Sequence, residues 1–434
     1  VGRRKDLATD VTGRRVAMRR GSGTKVVLLL VAAMALGVVP VGAQEPIKLG
    51  VLIPLTGTVA AIGATVKHAA ELAADVVNNE YDLDMPMART RGIPSLGGAK
   101  VELVIADTQG SPEIGRAEAE RLITTQKVVA ISGAWHSGVT HTVSPVTERY
   151  KIPIITQSVA PTLSQRGFKY FFRGGPNSPQ ALKVMFEFLE EMARKGTRVQ
   201  KVAIISEDTA WGKDGSVVYE RFSKERGWQV AGPWFYSQNT TDVTSEVQKL
   251  KAANADVVFQ SSYTSDLLLF LREYKKQRYA APAVFSEGGG FDDPKFYEVA
   301  RADANYFITR LLWSIDLGKR KPLALKVNEL FRKRAGLDLD ANSVREFAHI
   351  ILLAEAINRA GSANPEEIQK ALVRTEVPEE KLPLAYGVKF DPNHDNLWAG
   401  AMLGQVQEGK RCIIYPAKHA TCTVVWPFPK WETR

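Results

Sequence analysis

Residues 131–174 read ISGAWHSGVTHTVSPVTERYKIPIITQSVAPTLSQRGFKYFFRG. Two short predicted strands end inside this stretch and face one cleft. Val128–Ile131 is apolar and stops at Ser132-Gly133, where a loop of small residues, Ala134 to Gly138, opens a helix running to Tyr150. Ile152–Ile155 is the next strand, and it stops in Thr156-Gln157-Ser158-Val159-Ala160. In an open α/β sheet, ligands sit outside the carboxyl ends of strands, where loops offer backbone N–H groups and hydroxyls. Two such loops this close in sequence are placed to line one site.

The same rhythm extends on both sides. Towards the N-terminus, Ile47–Ile53 is apolar enough for a strand buried on both faces, and Ala61–Asn78 is an Ala-rich helix. Tyr81–Gly98, with Pro86 and Pro94, is expected to be a long surface loop. Val101–Ala106 is a strand, and Pro112 opens a helix to Lys127. Towards the C-terminus, strands are expected at 199–205, 228–235, 256–260 and 283–285. They alternate with helices at 179–195, 211–226, 242–253 and 265–277. Helices at 322–335, 343–360 and 365–374 follow, then a strand-rich tail from Tyr386. Alternation of this kind gives parallel sheets through right-handed crossovers. The fold class is α/β, with two doubly wound lobes.

The chain has 434 residues, 45% hydrophobic and 24% charged, enough for two core-bearing domains. Residues 1–43 are read as a secretory signal peptide. Lys25 precedes the apolar run Val26 to Val39, and Pro40-Val41-Gly42-Ala43 is a small-residue cleavage site. That run is short for an uncleaved membrane anchor. No Cys follows it, against a lipid anchor, and Met18-Arg19-Arg20 fits a translation start better than Val1. Residues 1–43 hold eight Lys/Arg against two Asp, so the net +10 of the chain falls to +4 without them. A dispersed charge of that size does not point to nucleic acid. Cys412 and Cys422 stand ten apart. In an oxidising compartment they are expected to form one disulfide, the alternative being two buried thiols. No His at ligand spacing makes them a zinc site, and no metal or cofactor is expected.

No catalytic constellation is present. There is no G-x-S-x-G, HExxH, phosphate loop or G-x-G-x-x-G. His136 adjoins Ser137, but neighbours on a loop point apart, which disfavours a nucleophile–base pair. The expectation is a binding protein rather than an enzyme.

Elements spread over residues 47–406 resemble the periplasmic solute-binding proteins of ABC transporters, in the leucine/isoleucine/valine-binding group. They include Ile47-Lys48-Leu49-Gly50, Pro54-Leu55-Thr56-Gly57, Gly63, Asp107 with Pro112, Gly133 to Gly138 and Ile152-Pro153-Ile154. Gln165-Arg166-Gly167-Phe168, Trp211-Gly212, Asp256-Val257-Val258-Phe259 and Gly387-Val388-Lys389-Phe390-Asp391 continue the series. The resemblance implies a type I periplasmic binding fold, with a ligand cleft between lobes joined by three crossover hinge segments. Residues 44–178 plus 312–388 would form one lobe, and 179–311 plus 389–434 the other.

The resemblance also implies the site. The loop holding Trp135, His136 and Ser137 would bind a ligand carboxylate through the Ser137 hydroxyl and backbone N–H groups. Ser137 capping the following helix is the plainer role. Ser158 and Ala160 fall in the second loop, and Ala160 has no side-chain donor to give. From the other lobe, Trp211 and Tyr263 would face the cleft and Glu287 would pair with an α-ammonium, or else be a solvated loop residue. Trp135 would shape the side-chain pocket, or simply pack in the core.

The implied role is a periplasmic, monomeric receptor that traps a branched-chain or aromatic amino acid by hinge closure and delivers it to a membrane ABC permease. The three aromatic residues leave open a non-amino-acid ligand such as an aromatic acid, amide or urea. A sensor protein or a periplasmic enzyme also stays open. Nothing after Arg434 suggests a fused output domain.

Overall fold

The computed structural model describes residues 45–434 except 320, 418 and 432–434. The expected signal peptide, 1–43, lies outside the described residues. The strands are β1 (Ile47–Ile53), β2 (Val101–Asp107), β3 (Ala130–Gly133), β4 (Ile154–Thr156), β5 (Phe171–Arg173), β6 (Lys201–Glu207) and β7 (Gln229–Tyr236). Then come β8 (Val257–Ser261), β9 (Val284–Ser286), β10 (Ile308–Leu311), β11 (Glu376–Val377), β12 (Val388–Lys389), β13 (Met402–Gln407) and β14 (Lys410–Tyr415). The helices are α1 (Ala60–Asn78), α2 (Pro112–Thr124), α3 (Ser137–Arg149), α4 (Ser178–Arg194), α5 (Ala210–Glu225) and α6 (Thr244–Ala253). α7 (Thr264–Lys276), α8 (Pro294–Ala300), α9 (Pro322–Ala335), α10 (Ala341–Ala360) and α11 (Pro365–Val373) follow.

Two sheets organise these elements. The first is parallel, in the order β2-β1-β3-β4-β5. Its core strand β1 is buried on both faces, as its unbroken apolar run requires. One face packs against α1 and α10, the other against α2 and α3. The second sheet runs β14-β13-β10-β9-β8-β6-β7, parallel except where β13 joins β10 and β14 joins β13. Cys412, on β14, is disulfide-bonded to Cys422, and the bridge closes a local loop on this outer edge.

Three expectations need correction. Tyr81–Gly98 is not a surface loop: Leu83, Met85, Met87, Ala88 and Ile93 are buried in the first core. Their apolar side chains outweigh the turn residues around them. Phe171–Arg173 is a fifth strand, too short to declare itself by alternation. Ile308–Leu311, inside the apolar run from Tyr306 to Trp313, is a strand that the sequence reading left out.

The chain passes between the sheets at 174–177, 312–321 and 390–401. The first and third passages are bonded together. Arg173 is fully buried, and its Nε lies 3.3 Å from Asp395 Oδ1. Asp395 Oδ2 accepts from Ser164 Oγ at 2.9 Å and Asn177 Nδ2 at 3.0 Å. Asn396 Nδ2 donates to the Gly174 carbonyl at 2.8 Å. On its other side Arg173 donates to the Val159 and Ala160 carbonyls, at 3.2 and 2.8 Å.

Removing one partner of a buried pair strands the other charge, at about 3–5 kcal/mol. Arg173→Met should therefore lower unfolding free energy by about that amount in urea titrations. The double variant Arg173→Met/Asp395→Leu should lose clearly less. Equal losses in the single and double variants would mean that the two side chains are not energetically coupled.

Candidate functional site

The loops at the carboxyl ends of both sheets converge on one narrow cavity of about 30 Å³. The first sheet contributes Trp135 and Ser137 from the β3–α3 loop, Gln157 and Val159 from the loop after β4, and Asn342 and Arg345 from the start of α10. The second contributes Trp211 at the start of α5, Tyr263 before α7, Gly289 and Asp292 after β9, and Arg310 on β10. Ligand sites in open α/β sheets lie at this end of the strands.

Local structure fixes each wall. Gly133 has φ +137°, and a Cβ there would come within 2.3 Å of the Leu52 carbonyl oxygen, so only glycine lets β3 turn into its loop this tightly. Ser158 braces that loop: its Oγ donates to the Trp135 carbonyl at 2.9 Å and lies 2.7 Å from Thr140 Oγ1. Asp340 caps α10, accepting from the Asn342 and Ser343 N–H groups at 2.6 and 2.9 Å. Gly289 has φ +63°, and a Cβ would come within 2.6 Å of the Trp211 ring. Trp211 stacks on Tyr263 with centroids 4.9 Å apart, and Tyr263 in turn meets the tilted Trp135 ring at 5.8 Å.

Of the residues singled out from sequence, Trp135, Ser137, Trp211 and Tyr263 line the cavity, and His136, Ser158, Ala160 and Glu287 do not. Ser137 Oγ accepts from the Ala160 N–H at 3.4 Å, and the N-cap position of α3 belongs to His136, which makes no side-chain cap bond. His136 packs edge-on against Tyr263, with centroids 5.2 Å apart. Burial pushes its imidazole down to about 4, so it is neutral at physiological pH. Ala160 gives its carbonyl to Arg173.

Glu287 is fully buried behind the wall, and a Cβ on Gly215 would come within 2.5 Å of its Oε1. Burial pushes its carboxyl up to about 8, against a lowering by the Arg310 guanidinium. Glu287 does not line the cavity, so it is not placed to grip an ammonium there.

The sequence reading missed Gln157, Asp292, Arg310, Asn342 and Arg345. The signal for the last two was available. Asn342, Arg345, Glu346 and His349 recur at three- and four-residue spacing in the first half of a largely apolar helix, so they share one face. All four are buried. Arg345 donates to the Ala341 and Gln157 carbonyls at 2.7 and 3.2 Å and to Asn342 Oδ1 at 2.7 Å. Arg310 had no such signal, because its strand was not recognised.

The electrostatics centre on Asp292. Its Oδ2 lies 3.7 Å from Arg310 Nη2 and its Oδ1 3.7 Å from Arg411 Nη1, ion-pair distances too long for hydrogen bonds. Arg310 Nε and Nη1 have no hydrogen-bond partner among the described residues, although the residue is almost wholly buried. The wall itself carries two guanidinium groups, from Arg310 and Arg345, against the one carboxylate of Asp292.

The sequence matches the periplasmic binding protein family over residues 46–411. It is 28% identical over 412 residues to a Leu/Ile/Val-binding protein homolog 7 of Brucella suis, covering 92% of this chain and 98% of that protein. The fold is similar to that of a leucine binding protein, LivK, of Thermotoga maritima, with a TM-score of 0.73 and 20% identity over 85% of this chain and 97% of that one. It is also similar to a solute binding protein of an ABC transporter from R. palustris in complex with benzoate, with a TM-score of 0.71 and 16% identity over 87% of this chain and 99% of that one.

The buried carboxyl gives a pH test. Glu287 titrates at about 8 in the fold against an ordinary value of 4.5. Across that window the folded chain keeps a proton that the unfolded chain releases, so the group costs stability progressively as pH rises and the cost levels off above it. Glu287→Gln should therefore gain melting temperature relative to wild type as pH goes from 5 to 8, corresponding to a few kcal/mol. A constant gap across that range in thermal melts would mean that Glu287 is ionised in the native state.

Proposed function

Since the chain belongs to the periplasmic binding protein family, we propose that it works in the periplasm as the receptor of an ABC importer whose ligand is a small organic monoanion. The carrying observation is the excess guanidinium in the cavity wall, with Arg310 buried and two of its nitrogens unpartnered. A buried cation of this kind gains most from a ligand carboxylate, through charge-assisted bonds in a site closed to water. Trp135, Tyr263 and Trp211 form one aromatic cluster in the wall, an apolar surface against which a flat body can pack. The R. palustris neighbour, in complex with benzoate, is compatible with a ligand of that shape.

The mechanism follows from the division of the wall between the two sheets. A ligand entering from the first sheet's side meets Ser137, Gln157 and Asn342. Closure brings Arg310, Trp211 and Tyr263 over it. Only the closed form makes both sets of contacts, so the ligand shifts the population towards it. The membrane permease would then recognise the closed arrangement. One chain supplies every wall residue, so a monomer suffices.

An α-amino acid is the second reading, favoured by the relatives' names and by the presence of Asp292 in the wall. Against it, Asp292 is flanked by Arg310 and Arg411, and Glu287 does not line the cavity.

Calorimetric titration of the protein with benzoate, leucine and phenylalanine separates the readings. Benzoate should bind, and Arg310→Met should weaken it by roughly 2–5 kcal/mol, the scale for truncating one partner of a buried charge pair. Binding of leucine or phenylalanine, abolished by Asp292→Asn while benzoate shows no heat, would establish the amino-acid reading instead.

A further inference from the structure

We infer that the ligand carries, besides its carboxylate, a hydrogen-bond donor that meets the side-chain oxygen of Gln157, and that Glu346 is the positioning residue that imposes this requirement. The inference rests on the anionic reading above and deepens it. Gln157 lines the cavity and is 3% exposed. Its backbone carbonyl is held by Arg345 Nη1 at 3.2 Å, and its Nε2 donates to Glu346 Oε2 at 3.1 Å. With the amide nitrogen committed to a carboxylate, the amide oxygen is the end left over, and it has no partner. Two consecutive residues of α10 therefore fix both the place of Gln157 and which way round its amide stands.

Asn342 is fixed by the same logic with the opposite outcome. Its Oδ1 accepts from Trp135 Nε1 at 3.0 Å and from Arg345 Nη2 at 2.7 Å. Its Nδ2 is left without a partner, in a residue 1% exposed that lines the same cavity. The cavity thus presents donors from Arg310 and Asn342 and an acceptor from Gln157. The complement of that set is an acid bearing a hydroxyl or an N–H. A group that cannot donate would leave the Gln157 oxygen buried and unpaired, and sites built to bond a substrate hydroxyl reject analogues that lack it.

Calorimetry on the full chain with size-matched acids tests this: benzoate and 4-methoxybenzoate as non-donors, 3-hydroxybenzoate, 4-hydroxybenzoate and 4-aminobenzoate as donors. The best donor acid should bind at least roughly tenfold more tightly than either non-donor. Gln157→Met should erase that ratio, bringing donor and non-donor acids to within about threefold of one another. Glu346→Gln, which lets the Gln157 amide turn round, should narrow the ratio without loss of benzoate binding, a pattern that a merely structural role of Glu346 would not give. Equal affinities for donor and non-donor acids in the wild-type protein, or a ratio preserved in Gln157→Met, would overturn the inference while leaving the anionic reading intact. Failure of every acid to bind would overturn the anionic reading and this inference with it.

Discussion

The guanidinium of Arg173 is shut off from solvent, bonded on one side to the Val159 and Ala160 carbonyls and paired on the other with Asp395. This makes the ligand-side loop after β4 and two of the three inter-sheet passages a single bonded unit. The Ser178 N–H adds to it, donating to the same Val159 carbonyl at 2.7 Å. A buried cation is costly unless paired and hydrogen-bonded, so this arrangement tolerates little displacement of any member. Val159 is itself part of the cavity wall. The passages between the sheets and the wall of the site are therefore joined through one side chain.

Charge in the cleft is arranged by burial as much as by residue type. Glu287 is pushed up to about 8, chiefly by burial, and Glu346 less far, to about 7, because hydrogen bonds from Ser132 and Gln157 and the nearby Arg345 oppose its burial. His349 is pushed down to about 3, first by burial and then by Arg345. Glu287 and His349 behind the wall are thus driven towards neutrality, while Arg345 in the wall stays charged: burial lowers it only to about 10. The positive character of the site comes from this asymmetry, since guanidinium resists deprotonation where carboxyl and imidazole do not.

The fold was legible because strands buried on both faces and Ala-rich helices repeat in a regular order, and because the loops after β3 and β4 are built of small residues. Those loops and the aromatic residues gave four cavity residues: Trp135, Ser137, Trp211 and Tyr263. What escaped was long-range. Glu287 sits at a strand end among glycines, as a ligand residue would, but Gly215 on α5 comes close enough to take its side chain in behind the wall. Ser158 has the right position and spends its hydroxyl on the neighbouring loop. Arg310 lies on a four-residue strand that the sequence reading left unassigned, and Tyr81–Gly98 was judged by its prolines rather than by Leu83, Met85 and Ile93. In each case the deciding fact is which surface a side chain meets across the fold.

The helix α10 shows where such a fact does leave a mark. A core helix gains nothing from Asn342, Arg345, Glu346 and His349 if stability is its only task, because apolar side chains of similar size would avoid the desolvation of four polar groups. Placing them on one face costs stability, and the cost is tolerable only where the partners are specific. Here they are: Trp135 and Gln157 from the two loops that carry the site, and Ser132 at the end of β3, whose hydroxyl stands 3.5 Å from His349 Nδ1. The polar face is thus a template against which the ligand loops are set. It converts a hydrophobic helix into the element that decides which donors and acceptors the cavity presents.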